Sequence, residues 1–152
     1  MQPVVTVEEL NQFLAREYPE LNGPETHLPP MFEVIDLEGE TASIRLQAQD
    51  NHLRPGGTIS GPTMMTLADI ACWIVILAHI GTVALTVTTH LSIDFLRKPA
   101  PGALIGKARL MKLGKRLAVA DCDLWSESAG TLVAHASATY SIPPKRPPQD
   151  TA

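Results

Sequence analysis

The sequence predicts an α+β fold in which a curved antiparallel sheet of about six strands wraps around one apolar helix. Residues 63–80 are almost all apolar, as in a helix that is covered by protein on most sides. From Leu85 onward the apolar residues recur with a period of two, which is typical of strands. Glycine and proline then divide the rest of the chain into short strands, so we expect sequential neighbours to pair antiparallel.

The N-terminal segment, residues 1–30, precedes the main domain. Thr6-Val-Glu-Glu9 matches a capping box and predicts a short amphipathic helix that ends near Tyr18. Its inward positions are Val7, Leu10, Phe13 and Leu14. Residues 19–30 contain four prolines and one glycine, which predicts an extended surface loop.

Residues 31–142 form the predicted main domain, and two strands open it. Phe32 and Val34 lead the first strand, and residues 41–48 alternate between apolar and polar in the second. The connection predicted between them is Glu38-Gly39-Glu40. The apolar helix comes next, after a loop over residues 50–59.

The long strand after the helix has one apolar and one polar face. We expect the apolar face to consist of Leu85, Val87, Thr89, Leu91, Ile93 and Phe95. Three more strands follow, separated by Pro99-Ala-Pro-Gly102, Gly114 and Ser128-Ala-Gly130. The last two strands carry small apolar residues on one face, which lets the apolar helix approach closely. Residues 143–152 hold four prolines and two basic residues, so we expect a disordered tail.

Composition limits the class of protein. The chain has 152 residues, 45% of them apolar and 18% charged, which suits one globular domain with a real core. The start of the chain does not read as a signal peptide, so we expect a cytoplasmic protein. Cys72 and Cys122 fall in apolar patterns and are expected to be reduced core thiols. The five histidines lack ligand spacing, and no metal is expected.

Asp69 is the most informative residue, because a carboxylate inside an apolar helix is costly unless it is paired, protonated or used. Gly61 and Pro62 lie at the predicted helix start, where unpaired N–H groups form a partly positive pocket on roughly the same face. A carbonyl oxygen held there would expose its carbon to Asp69. The alternative is that Asp69 is a buried structural partner of an arginine, Arg45 or Arg54.

Two other classes of function fit poorly. The apolar run approaches the length of about 20 residues that spans a membrane, but a central Asp69 and the absence of asymmetric flanking charge argue against insertion. Nucleic-acid binding is also disfavoured, because the net charge is −4 and only 5% of the residues are aromatic.

Four motifs in order, over about a hundred residues, resemble the hotdog-fold thioesterases, especially the phenylacetyl-CoA thioesterase group related to 4-hydroxybenzoyl-CoA thioesterase. These motifs are Ser60-Gly61-Pro62 followed by Leu67-Ala-Asp-Ile-Ala71, then Phe95-Leu-Arg-Lys-Pro99, Gly114-Lys-Arg116 and the last strand, Leu132 to Tyr140. The resemblance implies a hotdog fold and hydrolysis of small or medium acyl-CoA or aryl-CoA to free acid and CoA. It also implies active sites at the interface of a homodimer, alone or paired into a dimer of dimers, and no cofactor beyond the CoA of the substrate.

The chain departs from the family at three positions. Ser60 stands where the family has histidine, Pro62 replaces a second glycine, and Arg54 replaces an asparagine found upstream. Pro62 has no N–H, so one oxyanion donor is absent, while Gly61 keeps its own. These departures make a catalytically weak acyl-CoA-binding protein the alternative to an enzyme. A hydratase is disfavoured, because the related hydratases need a histidine where this chain has Ile74.

Individual roles follow from this reading. Asp69 is expected to act as a general base or as a nucleophile, and the Gly61 N–H to hold the thioester oxygen. Ser60 is expected to cap the helix or orient the substrate, and Trp73 either lines the acyl pocket or fills the core. Seven basic residues and no acidic one lie between residues 97 and 116. The predicted contacts to the CoA phosphates are Arg97, Lys98, Lys115 and Arg116.

Overall fold

The computed structural model describes residues 1–19, 30–48 and 57–144. Within these ranges the chain forms two helices and six strands: α1 Val7–Glu17, β1 Phe32–Glu38, β2 Thr41–Gln47, α2 Gly61–Ile80, β3 Val87–Phe95, β4 Ala103–Leu113, β5 Leu117–Ser126 and β6 Leu132–Ser141. The six strands form one antiparallel sheet, and α2 packs against the sheet. The predicted fold class is therefore confirmed.

Helix α1 begins and ends as the sequence predicts. Thr6 and Glu9 form both hydrogen bonds of the capping box, and the helix ends at Tyr18. Leu10, Phe13 and Leu14 are buried on its inner face. The Asn11 side chain then hydrogen-bonds the N–H and the carbonyl of Val34, at 2.8 and 2.9 Å, which ties α1 to β1.

Helix α2 occupies the core of the domain. It is long and apolar enough to cross a membrane, but 72% of its most apolar window is buried inside the protein, so packing accounts for its composition. The sheet approaches the helix closely at Gly106 on β4, where an added Cβ would lie 3.2 Å from the side chain of Leu67 and 3.4 Å from that of Ala71. The small inward residues of β5 and β6 are buried against the same helix, as expected.

The order of strands differs from one expectation. The sheet order is β1-β2-β4-β5-β6-β3, so β3 pairs with β6 and β4 pairs with β2. The prediction that β3 and β4 would pair across residues 99–102 is therefore wrong. The break in the sequence is real, but it marks a crossover between two distant positions in the sheet rather than a hairpin. This crossover leaves β3 at a sheet edge.

The predicted faces of β3 are also only half correct. Leu91, Ile93 and Phe95 share a face, but a bulge between Thr88 and His90 breaks the alternation. Because the bulge inserts one extra residue, Thr88 lies opposite Tyr140 and faces α2, while Val87 is displaced outward and is 51% exposed.

Three other expectations concern the ends and the thiols. Cys72 and Cys122 are buried free cysteines, as predicted. The stretch 20–29 of the proline-rich loop, Arg54 and the tail from residue 145 lie outside the described residues. The predicted boundaries at 30 and 142 and the disorder of the tail therefore stay predictions.

Candidate active site

Asp69 lies in the third turn of α2 and is half-buried. Its Oδ1 accepts a hydrogen bond of 2.7 Å from Thr88 Oγ1 and a short one from the Tyr140 hydroxyl. The same hydroxyl lies 2.7 Å from the backbone carbonyl oxygen of Asp69. Both donors therefore converge on one oxygen of the carboxylate. Among the described residues no side chain hydrogen-bonds Oδ2, so this second oxygen is available for chemistry.

Tyr140 is a permanent donor to this carboxylate. The residue is 1% exposed, and burial, followed by the negative charge of Asp69, raises the pKa of its hydroxyl well above the usual value. A phenol in this setting keeps its proton throughout the physiological pH range. The hydroxyl can thus orient the Asp69 carboxylate but cannot compete with it as a base.

The carboxylate borders a cavity of about 350 Å³ between α2 and the start of β3. The wall includes Trp73, which is one helical turn beyond Asp69, and Tyr18, whose ring meets the indole edge-on at 5.4 Å. The Phe13 ring packs on the indole at 5.3 Å. Trp73 therefore fills both roles left open by the sequence: it belongs to the core and also lines the pocket beside Asp69.

Arg45 is not an ion-pair partner of Asp69, so this part of the structural alternative is wrong. The Arg45 guanidinium forms a two-pronged ion pair with Glu127, at 2.7 and 3.1 Å, and this hydrogen bond is the main cause of its raised pKa. No lysine or arginine of residues 1–19, 30–48 and 57–144 forms an ion pair with Asp69. Arg54, the other candidate partner, lies outside the described residues.

The N-terminus of α2 forms a second cavity, of about 500 Å³. Ser60 caps the helix, because its Oγ accepts from the Thr63 N–H at 3.3 Å. Gly61 and Pro62 occupy the first two helical positions, so the Gly61 N–H has no intrahelical acceptor. The Phe95 ring lies against Gly61, 3.4 Å from where a Cβ would be.

Arg97 and Lys98 line this second cavity. Arg97 uses one guanidinium nitrogen to donate to the carbonyl of Leu132 at 2.9 Å. Lys98 is exposed. The cavity thus combines the free N–H end of a helix with two cationic side chains, which is an arrangement suited to anions.

Gly61 and Asp69 do not share a cavity within one chain. They are eight residues apart on one helix, a rise of about 12 Å, and they line separate pockets. The expectation that a single thioester could lie between them along one helix therefore does not hold within one protomer. A spacing of eight residues along a helix separates the two groups by more than bonding distance, whatever their positions around the helix axis.

Lys115 and Arg116 are also apart from the other basic pair. They line a third cavity, of about 950 Å³, at the C-terminal end of α2 together with Ile80 and Val83. Because a 20-residue helix is about 30 Å long, Arg97 and Lys98 lie near one end of the core and this pair near the other. Within one protomer, the four residues do not form a single phosphate site.

Sequence reasoning missed two residues that contact Asp69. Tyr140 ends an alternating strand of small apolar residues, so the sequence pattern predicts only a core position for it, and strict alternation places Thr88 on the polar face of β3. A tyrosine, rather than a phenylalanine, at a fully buried position was the available signal, because a buried hydroxyl requires a partner. In the described part of the chain, no group of three His, Cys, Asp or Glu side chains is arranged to hold a metal ion.

Comparison with known proteins supports the resemblance. The profile of the Thioesterase superfamily matches residues 56–133, which include Gly61, Asp69 and Thr88. A candidate esterase from Thermoplasma acidophilum is 24% identical over 111 residues, covering 73% of this chain and 83% of that protein.

Solved structures of other proteins have the same fold as this chain. A candidate thioesterase from Silicibacter sp. TM1040 is 43% identical, with a TM-score of 0.83 over 95% of this chain and 96% of that one. A variant of the phenylacetic acid degradation protein PaaI from Thermus thermophilus is 25% identical, with a TM-score of 0.61 over 74% of this chain and 93% of that one. Zebrafish thioesterase superfamily member 2 shares the fold at 20% identity, with a TM-score of 0.76 over 91% and 99%.

Proposed function

This chain belongs to the thioesterase superfamily, and we propose that it hydrolyses CoA thioesters of small or medium acyl or aryl groups to free acid and CoA. The observation that carries the proposal is the Asp69 carboxylate. It borders a cavity, it is oriented through Oδ1 by Thr88 and Tyr140, and it has a second oxygen without a described partner.

The proposed reaction uses Oδ2 of Asp69. As a general base it takes a proton from a water molecule, and the hydroxide equivalent attacks the thioester carbon. As a nucleophile it attacks that carbon itself and forms a mixed anhydride, which water then hydrolyses. In both cases the C–S bond breaks and CoA leaves as the thiolate. The two hydrogen bonds on Oδ1 hold the carboxylate in one orientation for either route.

The oxygen that gains charge needs a donor, and the Gly61 N–H is the one we propose. Because Gly61 and Asp69 of one protomer are too far apart, we propose that each site combines Gly61 of one protomer with Asp69 of its partner in a homodimer. A twofold axis makes both such sites at once. The exposed edge strand β3 supports this arrangement, since Val87 and Phe95 on it are 51% and 50% exposed.

The CoA part would be bound by charge. Arg97 and Lys98 lie beside the free helix end at Gly61, and we propose that they contact the CoA phosphates. No separate cofactor is required, because the reaction consumes only the thioester and water.

A panel of short aliphatic, long aliphatic and aryl acyl-CoAs, assayed by release of free thiol, tests the proposal. The protein should cleave at least one class. The protein's own thiols should not react in this assay, because both are buried and the pKa of Cys122 is raised well above its usual value by the hydrogen bond with Cys72 and by burial. Saturable binding of acyl-CoA without cleavage would instead favour the alternative of a binding protein, for which Pro62 without an N–H is the structural argument.

A further inference from the structure

Thr66 lines the same cavity as Asp69 and stands three residues before it on α2. Residues at this spacing lie on one face of a helix, with their Cβ atoms about 5–6 Å apart. The Cα–Cβ bonds of a helix tilt toward its N-terminus, so the Asp69 side chain extends over the turn that contains Thr66. Thr66 is an exposed residue, and both side chains therefore border one open space.

The hydroxyl of Thr66 offers acceptor sites to this space. Its proton is donated to the Pro62 carbonyl at 3.0 Å, which is a hydrogen bond within the helix. A hydroxyl has one proton and two lone pairs. Because the proton is already committed, the oxygen of Thr66 can only accept further hydrogen bonds.

The second oxygen of the Asp69 carboxylate is also an acceptor, and it is not buried. Oδ1 receives the hydrogen bonds of Thr88 and Tyr140, whereas Oδ2 receives none from the described residues. In that part of the chain, the buried side-chain polar atoms without a partner are Trp73 Nε1 and Thr86 Oγ1. Oδ2 is not among them, so a water molecule can reach it.

We infer that Thr66 is a positioning residue for the attacking water, whose two protons are hydrogen-bonded by Thr66 Oγ1 and Asp69 Oδ2. The inference rests on the proposed function. A water molecule that donates hydrogen bonds of about 2.8 Å to two oxygens spans about 4.5 Å between them, which suits acceptors on neighbouring positions of one helix face. Both protons of this water are then satisfied, and a lone pair of its oxygen is left to attack.

The reaction uses the two protons differently. The proton that points to Oδ2 passes to Asp69 as the water oxygen bonds to the thioester carbon. The other proton stays hydrogen-bonded to Thr66 and remains on the new carboxyl group. The C–S bond breaks, the sulfur leaves as the thiolate, and Asp69 returns its proton to that sulfur. Direct attack by Oδ2 on the thioester carbon would make no use of Thr66.

Thr66→Val tests this role, because valine has nearly the same shape and cannot accept a hydrogen bond. It should lower kcat about five- to tenfold and leave KM for acyl-CoA nearly unchanged, since the water and not the ester loses a contact. Thr66→Ser keeps the hydroxyl and should retain most of the rate. Thr41→Val is the matched control and should keep the native kcat. The Thr41 hydroxyl also donates to a backbone carbonyl, that of Glu38 at 2.8 Å, but it lies on β2 and does not line the cavity.

Methanol gives a readout that a merely structural role of Thr66 would not move. Methanol has one proton, so it can satisfy Asp69 but not Thr66 at the same time, and the native site should favour water over methanol. In buffer that contains methanol, the ratio of methyl ester to free acid should rise about threefold or more in Thr66→Val and stay at the native value in Thr66→Ser. Mass spectrometry measures this ratio, which does not depend on how much of the protein is folded.

A crystal structure of the native protein separates this inference from the proposed function, because it requires no turnover. It should show a water molecule within about 3.2 Å of both Thr66 Oγ1 and Asp69 Oδ2, and the Thr66→Val crystal should lack it. If this water is present but the native protein cleaves no acyl-CoA, the proposed hydrolysis is wrong and the water site stands. Absence of the water from the native crystal overturns the inference. Native kcat and a native product ratio in Thr66→Val also overturn it, and in that case the proposed hydrolysis stands.

Discussion

The hydroxyl of Tyr140, in the last strand, donates to the carboxylate of Asp69, in the middle of the core helix. The same hydroxyl lies 2.7 Å from the Asp69 carbonyl oxygen, so one buried phenol contacts both the backbone and the side chain of this residue. The carboxylate is thereby fixed relative to the sheet as well as to its own helix. This rigidity is what a positioned base or nucleophile requires.

Asp69→Asn should lower the rate of thioester hydrolysis by at least about a hundredfold, since general-base contributions are about 10²–10⁴. The amide oxygen still accepts from Tyr140 and Thr88, so the fold and the affinity for CoA should be largely kept. Free-thiol release measures the loss of rate, and circular dichroism measures whether the fold is kept. A variant with normal activity would exclude Asp69 from the chemistry, and a variant that does not fold would make Asp69 a structural residue.

Thr88→Val should lower kcat by about tenfold, because it removes one of the two donors that orient the carboxylate. Thr89→Val is the matched control. Thr89 is the neighbouring residue in the bulge of β3, and its hydroxyl donates to the Thr139 carbonyl rather than to Asp69. Steady-state kinetics of the two variants should therefore differ. Equal losses in both would attribute the effect to the packing of the bulge.

The bulge also marks where sequence reasoning reached its limit. Strict alternation over residues 85–95 predicts that Thr88 points outward, and a one-residue bulge reverses this at the residue that contacts Asp69. The local pattern of apolar and polar residues does not indicate the extra residue of the bulge. The same holds for the pairing of β3 with β6, because adjacency in the sheet depends on a crossover that propensities do not encode.

Other features were predictable because local chemistry decides them. The capping box at Thr6, the cap at Ser60 and the glycine turn before β2 all depend on residues close in sequence. The sequence predicts part of the candidate site. Asp69 is recognisable because an ionised carboxylate inside an apolar helix is costly in free energy. Its separation from Gly61, however, depends on the helix rise and on assembly. Tyr140 could be recognised only once the sheet brought it to the helix.

Lys98→Gln should raise KM for acyl-CoA about five- to tenfold at low salt and leave kcat nearly unchanged, because the nucleotide end of CoA does not change during the reaction. Higher salt should weaken the effect, and thioesters of pantetheine, which lack the nucleotide phosphates, should not respond. Lys115→Gln removes the same charge at the opposite end of the core and should leave KM unchanged. Equal increases for both variants would restore the four-residue phosphate site expected from the sequence.

Gly106→Ala should lower the free energy of unfolding by about 1–3 kcal/mol, since the new methyl group overpacks the contact between β4 and α2. Its Cβ would lie 3.2 Å from Leu67 and 3.4 Å from Cys122 Sγ, and both neighbours are fixed in the core. Lys107→Ala, at the exposed next position of the strand, should change stability by less than about 0.5 kcal/mol. Urea unfolding measures both, and a more stable Gly106→Ala protein would contradict the tight packing.

If each active site combines residues of two protomers, two inactive variants should restore activity when they form mixed dimers. Gly61→Pro removes the proposed oxyanion donor and should cost about a hundredfold in kcat. Proline is tolerated at the first helical position, and Ser60 already has the extended backbone, φ −69° and ψ 152°, that a residue before proline prefers. Asp69→Asn removes the base, so each variant alone should form inactive dimers.

Co-expression of these two variants should restore about a quarter of the native activity, because about half of the dimers are mixed and each mixed dimer contains one intact site. Asp69→Asn co-expressed with Tyr140→Phe is the control. In this mixed dimer one site lacks Asp69 and the other lacks Tyr140. Neither site is intact, so no rescue is expected. Absence of rescue in the first mixture, with mixed dimers verified by affinity tags, would exclude a site that combines Gly61 of one protomer with Asp69 of its partner.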